Sequence, residues 1–205
     1  MRHEVVLGRS ERGRPIVAWE IGDPNAKRRV LVVGCIHGNE PAGIAIADAV
    51  THARVPAGTV VWVVPDLNPD GVAADTRQDA RGVDLNRNFP YRWRPLGGVF
   101  NSGPRALSER ESRIAYNLIR RFRPTTSIWF HQHLNVVDES GGDARVERRF
   151  ARLVGMRTAR LARDPGSVTG WENHTFPGTT AFVVELPAGP VPALRLGVFT
   201  RAILR

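Results

Sequence analysis

His37 and Glu40 are the first residues in the chain whose types and spacing could do chemistry. They lie in the stretch VVGCIHGNEPAG, between an apolar run and Pro41. A neutral imidazole and a carboxylate both bind Zn²⁺, and a hydrolytic zinc site needs three protein ligands and one position open to water. Pairs of this kind also arise by chance in structural loops. The pair therefore indicates a metal site only together with a third ligand.

The third ligand is predicted to come from the end of another strand. The stretch IWFHQHL offers His131 and His133 late in an apolar run. Side chains two residues apart in a strand point to the same face, so strand parity does not choose between these histidines. Taken alone, either is as well explained by a hydrogen-bonded core position.

Glu185 lies near the end of the apolar stretch AFVVELP. An unpaired carboxylate inside such a strand would cost several kcal/mol, so Glu185 needs a partner. A metal-bound water would provide one and would make Glu185 the general base that takes its proton and passes it to the leaving amine. The alternative is a salt bridge to one of the many arginines.

The segment RGVDLNRNFP, residues 81–90, holds more hydrogen-bonding groups than a solvent loop needs. A guanidinium binds a carboxylate with two hydrogen bonds, and an amide adds a further donor. Asn86 and Arg87 could therefore clamp an acidic group, and Arg77 could be a second cation in the same cleft. The alternatives are a structural turn for the segment and a surface position for Arg77.

The elements that must position these residues alternate between strands and helices. Strands are predicted in a hairpin over 3–23 and at 30–36, 59–64, 126–134 and 180–187, helices at 41–50, 107–122, 145–161 and 191–204, and a turn at 68–71. Pro41 suits the first position of its helix, and Ser108 with Glu111 has capping-box spacing. This order predicts an α/β fold, a single domain with a mixed, largely parallel central sheet flanked by helices. Active groups collect at the carboxyl edge of such a sheet.

Composition and charge restrict the class of protein. The 205 residues suit one domain, and the 42% hydrophobic and 24% charged residues are those of a globular protein. The net charge of +9 favours anionic partners, although a solvated arginine-rich surface explains it as well. With one cysteine, Cys35, no disulfide can form within the chain, and the absence of a membrane span or signal sequence favours the cytoplasm. A chain trimmed of its signal would look the same.

The ordered motifs resemble those of the zinc metallocarboxypeptidase family, and most closely its short bacterial branch of murein peptide amidases. The resemblance runs from GRSERGRPI to VVELP and rests on HGNE (37–40), NPDG (68–71), DLNRN (84–88), His131 and Glu185. It implies one zinc ion held by His37, Glu40 and His131, with His131 favoured over His133. It also implies that Arg77 stabilises the oxyanion, that Asn86 and Arg87 bind the substrate carboxylate, and that Glu185 is the general base. Residues 1–205 would then form one zinc carboxypeptidase-like catalytic domain.

The chain departs from the family in one contact. Digestive members carry a mobile tyrosine between the third ligand and the catalytic glutamate, whereas Tyr91 and Tyr116 both lie upstream of His131. Trp171 and His174 are the candidates to replace that tyrosine.

The resulting functional hypothesis is a zinc-dependent amide hydrolase that cuts beside a carboxylate-bearing residue. The favoured substrate is a muropeptide, cut between γ-D-glutamate and diaminopimelate. A carboxypeptidase on ordinary peptides and an N-acyl amino-acid deacylase are the alternatives. A catalytically silent cell-wall or nucleic-acid binding module is the non-enzyme alternative. No nucleic-acid partner is expected, because the basic residues form no compact stripe with interleaved aromatics. No membrane is expected either, because no segment reaches the ~18 apolar residues of a membrane span. The sequence does not indicate an oligomeric state.

Overall fold

The computed structural model describes residues 1–162 and 164–205. Within these residues seven strands form one mixed sheet: β1 (Arg2–Arg9), β2 (Pro15–Gly22), β3 (Arg28–Val33), β4 (Thr59–Val64), β5 (Thr126–Asp138), β6 (Arg157–Ala159) and β7 (Thr180–Pro187). The strand order is β1-β2-β4-β3-β5-β6, with β7 paired along β5. The pairs β1/β2 and β2/β4 are antiparallel and the other pairs are parallel. The prediction of a single α/β domain with a mixed, largely parallel sheet is confirmed.

Helices cover both faces of this sheet. They are α1 (Ala42–Thr51), α2 (Pro69–Ala74), α3 (Arg110–Phe122), α4 (Ala144–Val154), α5 (Val168–Thr175) and α6 (Ala193–Ile203). Residues of α1, α4 and α6 pack on one face, and residues of α3 and α5 pack on the other. Along β3, Val30 and Val32 join the first core while Leu31 and Val33 join the second, which explains the continuous apolar run of a strand covered on both sides. None of the helices in the described ranges is long and apolar enough to cross a membrane.

Two predicted helices begin or end elsewhere than the sequence suggested. The predicted capping box is wrong, because Ser108 lies before the N-cap of α3 and its hydroxyl donates to Glu109 Oε1 at 2.5 Å. The predicted helix over 145–161 ends at Val154, where Gly155 takes a left-handed conformation with φ of 65°. The chain then forms β6 instead of another helical turn. A glycine in this conformation satisfies the last helical carbonyls and stops the helix.

Two further segments differ from their predicted structure. The predicted turn at 68–71 is the start of α2, and the Asn68 side chain caps that helix by accepting from Gly71 N at 3.0 Å. An unpredicted helix, α5, lies between β6 and β7. Its sequence VTGWENHT contains a glycine and β-branched residues, which have low helix propensity, so its packing on the sheet stabilises it.

The parallel strands place the candidate residues at one edge of the sheet. His37 and Glu40 lie in the loop that follows β3, and Pro41 is the N-cap of α1, one position before its predicted place. Glu40 is therefore outside the helix, as the residue before a proline is expected to be. His131 on β5 is paired in register with Glu185 on β7. The loop after β3 and the strands β5 and β7 thus converge at the carboxyl edge.

The loop that carries His37 and Glu40 lies directly against α2. A Cβ atom built on Gly38 would lie 1.9 Å from the carbonyl carbon of Gly71, so only glycine fits there. The Asn68 amide donates to Ile36 O at 3.1 Å, and Asn39 N donates to Thr76 O at 3.1 Å. These contacts fix the loop from both sides.

Candidate metal centre and active-site cleft

A cleft of about 880 Å³ opens at this edge. Its walls come from the loop after β3, the segment 86–92, the end of β5, the start of α5 and the end of β7. The lining includes the whole set of predicted site residues: His37, Glu40, Arg77, Asn86, Arg87, His131 and Glu185. A cavity of this size, with a few convergent polar groups, is typical of a small-molecule or peptide site.

His37, Glu40 and His131 converge deep in the cleft. Nδ1 of His131 lies 2.8 Å from Oε2 of Glu40 and 3.1 Å from Nδ1 of His37, and the His37 nitrogen lies 3.1 Å from the same oxygen. All three residues are buried. In the described part of the chain they form the one cluster of three His, Cys, Asp or Glu residues whose ligand atoms lie within 4.8 Å of one another.

Asp84 and Arg77 surround this cluster with fixed charges. Asp84 Oδ1 accepts from His37 Nε2 at 3.0 Å, and Arg77 donates from NH1 to Glu40 Oε1 at 3.0 Å and from Nε to Asp84 Oδ2 at 2.9 Å. Burial alone raises the pKa of Glu40, but hydrogen bonds with His131 and His37 outweigh it and hold the pKa well below its usual range. For Asp84, burial is likewise outweighed by His37, Arg77 and Arg87, and its pKa is lowered. Both carboxylates are therefore charged at neutral pH.

The cluster fits a divalent cation. Because Asp84 is ionised, His37 donates to it from Nε2, and a neutral His37 ring then has a lone pair at Nδ1. That lone pair faces the Glu40 oxygen 3.1 Å away, a contact that a cation between the two atoms would satisfy. Without a cation a proton on the ring takes that place: burial lowers the pKa of His37, but hydrogen bonds with Asp84 and Glu40 outweigh it and raise the pKa. The ligands of one tetrahedral zinc ion lie about 3.3 Å apart, since each bond is about 2.0–2.1 Å. The distances here, 2.8 to 3.1 Å, are close to that value.

The structure distinguishes between His131 and His133, which strand parity alone could not do. His131 is 4% exposed and belongs to the cluster, whereas His133 is exposed at the rim of the cleft. The register between β5 and β7 shifts after His133, so the regular alternation of faces is lost at this point. The sequence carried no signal for this irregularity.

Glu185 faces the cleft and is half-buried. Its Oε2 accepts from Leu134 N at 3.4 Å, and its strand neighbour across the sheet is His131. The carboxylate therefore borders the open cleft, and no arginine among residues 1–162 and 164–205 forms the salt bridge that was the alternative.

Asn86 and Arg87 form part of the cleft wall. Asn86 Oδ1 accepts from Val168 N at 3.0 Å, which ties this side chain to the start of α5. Arg87 is 7% exposed and donates from NH1 to Asn86 O and from NH2 to Asp164 Oδ2, at 2.9 and 2.6 Å. The guanidinium groups of Arg77 and Arg87 both lie within 5.4 Å of the Phe100 ring centre, a favourable cation–π distance.

Three residues of the site have roles that the sequence did not predict. Asp84 holds His37, Asp164 pairs with Arg87, and the Tyr91 ring stacks on His174 at 4.0 Å in the cleft. The sequence did offer a signal for Asp84, because an aspartate often caps a turn by accepting from the backbone N–H two residues later. Here Asp84 Oδ1 accepts from Asn86 N. The two candidates to replace the family's tyrosine differ in position: Trp171 is 4% exposed and lies in the core, whereas His174 lines the cleft.

Comparison with known sequences gives a family match and several relatives. The sequence model of the family described as zinc carboxypeptidase matches residues 1–145. Murein peptide amidase A of Escherichia coli (strain K12) is 30% identical over 146 residues, which cover 64% of this chain and 60% of that protein. Murein peptide amidase A of Vibrio campbellii is 31% identical over 147 residues, covering 64% and 58%. The match thus spans less than two thirds of the length of these curated relatives.

Comparison with solved structures shows the same fold. Murein-tripeptide amidase from Escherichia coli O157 aligns with a TM-score of 0.80 and 24% identity, covering 98% of this chain and 92% of that one. Carboxypeptidase A from Helicoverpa armigera aligns with a TM-score of 0.78 and 18% identity, covering 99% and 68%. At these identities the likeness shows the fold alone.

Proposed function

The chain belongs to the zinc carboxypeptidase family, as its motifs predicted, and on this premise we propose that it is a zinc-dependent amide hydrolase that cuts beside a carboxylate-bearing residue. One observation carries the proposal. The His37–Glu40–His131 cluster, a half-buried carboxylate at Glu185 and the arginines Arg77 and Arg87 face a single cleft.

The proposed substrate is a peptidoglycan-derived peptide, cut between γ-D-glutamate and diaminopimelate. The curated relatives named as murein peptide amidases support this substrate class. The proposal takes residues 1–205 as one catalytic domain and takes the cytoplasm, where recycled muropeptides would be met, as its compartment.

In this proposal His37, Glu40 and His131 hold the zinc ion. When bound, zinc supplies Lewis-acid polarisation of the scissile carbonyl and acidifies a coordinated water. Asp84 keeps His37 in the tautomer that leaves Nδ1 free for the metal. Arg77, held by Glu40 and Asp84, presents its remaining N–H groups to the negative charge that develops on the carbonyl oxygen.

Glu185 is the proposed general base. Its carboxylate borders the cleft, where it can take a proton from the attacking water at its oxygens and return it to the leaving amine. Asn86 and Arg87 orient the substrate by its carboxylate, so that the amide bond to be cut is presented to Glu185.

The experiment compares metal content and hydrolysis on one protein preparation. Elemental analysis should give one zinc ion per chain, and mass spectrometry should show release of diaminopimelate from a muropeptide tripeptide, abolished by a chelator. Glu185→Gln keeps the size of the side chain and removes the base, so it should retain zinc and lose about 10²- to 10⁴-fold in kcat.

Other substrates are tested side by side. Faster hydrolysis of ordinary C-terminal peptides or of N-acyl amino acids would show that the muropeptide is not the preferred substrate, while the proposed zinc-dependent amide hydrolysis would stand. If no substrate of these classes is cut and Glu185→Gln behaves like the original chain, the hydrolase proposal fails. Salt-sensitive binding of nucleic acid or cell-wall polymer without bound zinc would then support a binding module.

A further inference from the structure

The arginine proposed to bind the substrate carboxylate already has a carboxylate partner in the chain. Arg87 NH2 lies 2.6 Å from Asp164 Oδ2, and the Arg87 side chain is 8% exposed while that of Asp164 is 45% exposed. Both residues line the cleft. Asp164 therefore covers one side of the guanidinium and remains open to a ligand.

The backbone holds Asp164 in this position. Gly166 N donates to Tyr91 O at 3.0 Å, and Phe89 N donates to Gly166 O at 2.9 Å, so the loop before α5 pairs with the segment after Arg87. A Cβ on Gly166 would lie 2.1 Å from Arg87 O, and the φ of Gly166 is 72°. The close approach requires glycine and brings the Asp164 backbone next to Arg87. The ion pair is thus part of the built cleft.

This pairing changes the charge that a substrate meets. Arg77 is paired with Glu40 and Asp84, and Arg87 is paired with Asp164, so the charge of each of these two guanidinium groups is compensated. A substrate carboxylate that joins Arg87 also lies near the Asp164 carboxylate, and two like charges at short range repel. A cation beside that carboxylate removes the repulsion and gives Asp164 a second partner.

We propose that Asp164 recognises an ammonium group on the leaving residue, so that the cleft selects leaving residues which carry a cationic side chain as well as a carboxylate. Arg87 binds the carboxylate and Asp164 binds the ammonium, which gives alternating charges across the pair. This inference rests on the proposed hydrolase function and adds to it a specificity-determining residue. An ammonium–carboxylate hydrogen bond in a partly buried site is among the stronger polar contacts.

The test uses two substrates that differ by one amino group. γ-D-Glutamyl-meso-diaminopimelate carries an ammonium in its leaving residue, and γ-D-glutamyl-2-aminopimelate keeps both carboxylates and lacks the ammonium. The unchanged protein should prefer the first substrate in kcat/KM by about tenfold or more, the effect of one good charged contact. Asp164→Asn should bring the ratio close to one, chiefly through KM of the diaminopimelate substrate.

Two variants separate recognition from damage to the fold. Asp164→Glu keeps the charge and should restore part of the preference. Asp143→Asn removes an aspartate that is also paired with an arginine, Arg145 at 2.8 Å, but lies outside the cleft lining, and asparagine caps α4 as well as aspartate does. The preference in this control should equal that of the unchanged protein.

A binding measurement provides a readout besides turnover. Calorimetric titration with free diaminopimelate and with free 2-aminopimelate should show the same preference, and Asp164→Asn should remove it. If Asp164→Asn lowers kcat/KM and affinity equally for both substrates, Asp164 is only a structural partner of Arg87. If it raises both equally, Asp164 competes with the substrate carboxylate for Arg87. Either result overturns the inference. If the unchanged protein cuts neither substrate, the proposed muropeptide substrate fails, and the other substrate classes then decide whether the hydrolase function stands.

Discussion

Two groups of buried carboxylates in this molecule behave in opposite ways. Glu40 and Asp84 at the cleft have lowered pKa values, whereas Asp79 and Glu111, near the start of α3, have raised ones. All four are less than 10% exposed, so burial raises the pKa in each case. The difference lies in the neighbours of each carboxylate.

At the cleft the neighbours are imidazoles and Arg77, which favour the ionised carboxylate. Near the start of α3, burial and the negative charges of Glu109 and Glu111 together raise the pKa of Asp79 to about 7. Backbone N–H groups of Val83 and Arg81 oppose this rise without cancelling it. Burial alone therefore does not mark a chemical site, because the direction of the pKa shift depends on the groups that face the carboxylate.

The largest expected effect comes from exchanging one buried glutamate in each group for glutamine. Glu40→Gln removes the charged oxygen at the cluster, so zinc content and activity should fall together, the activity by about 10³-fold or more. Glu111→Gln is the matched control. Its Oε1 accepts from Glu11 N at 3.0 Å, and a glutamine oxygen can do the same. Zinc content and kcat/KM are the measurements, and loss of zinc in Glu111→Gln would contradict the distinction.

A smaller effect is expected at Asp84. Asp84→Asn keeps an acceptor for His37 but weakens it, so zinc affinity should fall about 10- to 100-fold, as for other partners of metal-bound histidines. Competition with a chromogenic chelator measures this affinity. An unchanged affinity would show that Asp84 serves only the turn that it caps at Asn86.

The pH dependence of stability tests the other group. Asp79 has a pKa of about 7 in the folded chain and about 3.9 when unfolded. Between these values the folded state keeps a proton that the unfolded state releases, so the free energy of unfolding falls as the pH rises, by up to about 1.4 kcal/mol per pH unit. Asp79→Asn should remove this contribution, since its Oδ1 can still accept from Arg81 N and Val83 N.

Urea unfolding at pH 5, 6 and 7 measures that slope for both proteins. The asparagine variant should lose less stability across this range than the unchanged protein does. Identical slopes would mean that Asp79 is ionised in the folded chain at pH 5, which would remove the contrast with the cleft.

The smallest effect is expected at the exposed ion pair that joins the hairpin to α3. Arg110 Nε lies 3.0 Å from Glu11 Oε2, and the side chains are 56% and 33% exposed. Arg110→Ala should cost less than about 1 kcal/mol of unfolding free energy, because solvent and salt screen such pairs. Thermal unfolding at low and high salt checks this. A larger loss of unfolding free energy would show that the ion pair of Arg110 contributes as much as a buried interaction.

The sequence indicated the strands and the order of motifs well, because β-branched runs and turn residues are local signals. The strand at 59–64 lies where predicted, and Glu40 lies outside α1 because the following proline acts locally. The choice of His131 over His133 required the family resemblance, since the bulge in β5 depends on its pairing with β7. α5 and the contact of Asp164 with Arg87, which lie 77 positions apart in the chain, depend on tertiary packing.

The contact between Gly38 and Gly71 bears on protein engineering. Because Gly38 in the loop of His37 and Glu40 lies so close to the α2 main chain at Gly71 that no side chain fits at position 38, the motifs HGNE and NPDG form one structural unit. Transplanting HGNE alone into another α/β scaffold would bring the ligands without the surface that shapes their loop. The smallest portable unit for these two ligands therefore extends from β3 through α2, and the third ligand, His131, has to come from a neighbouring strand such as β5.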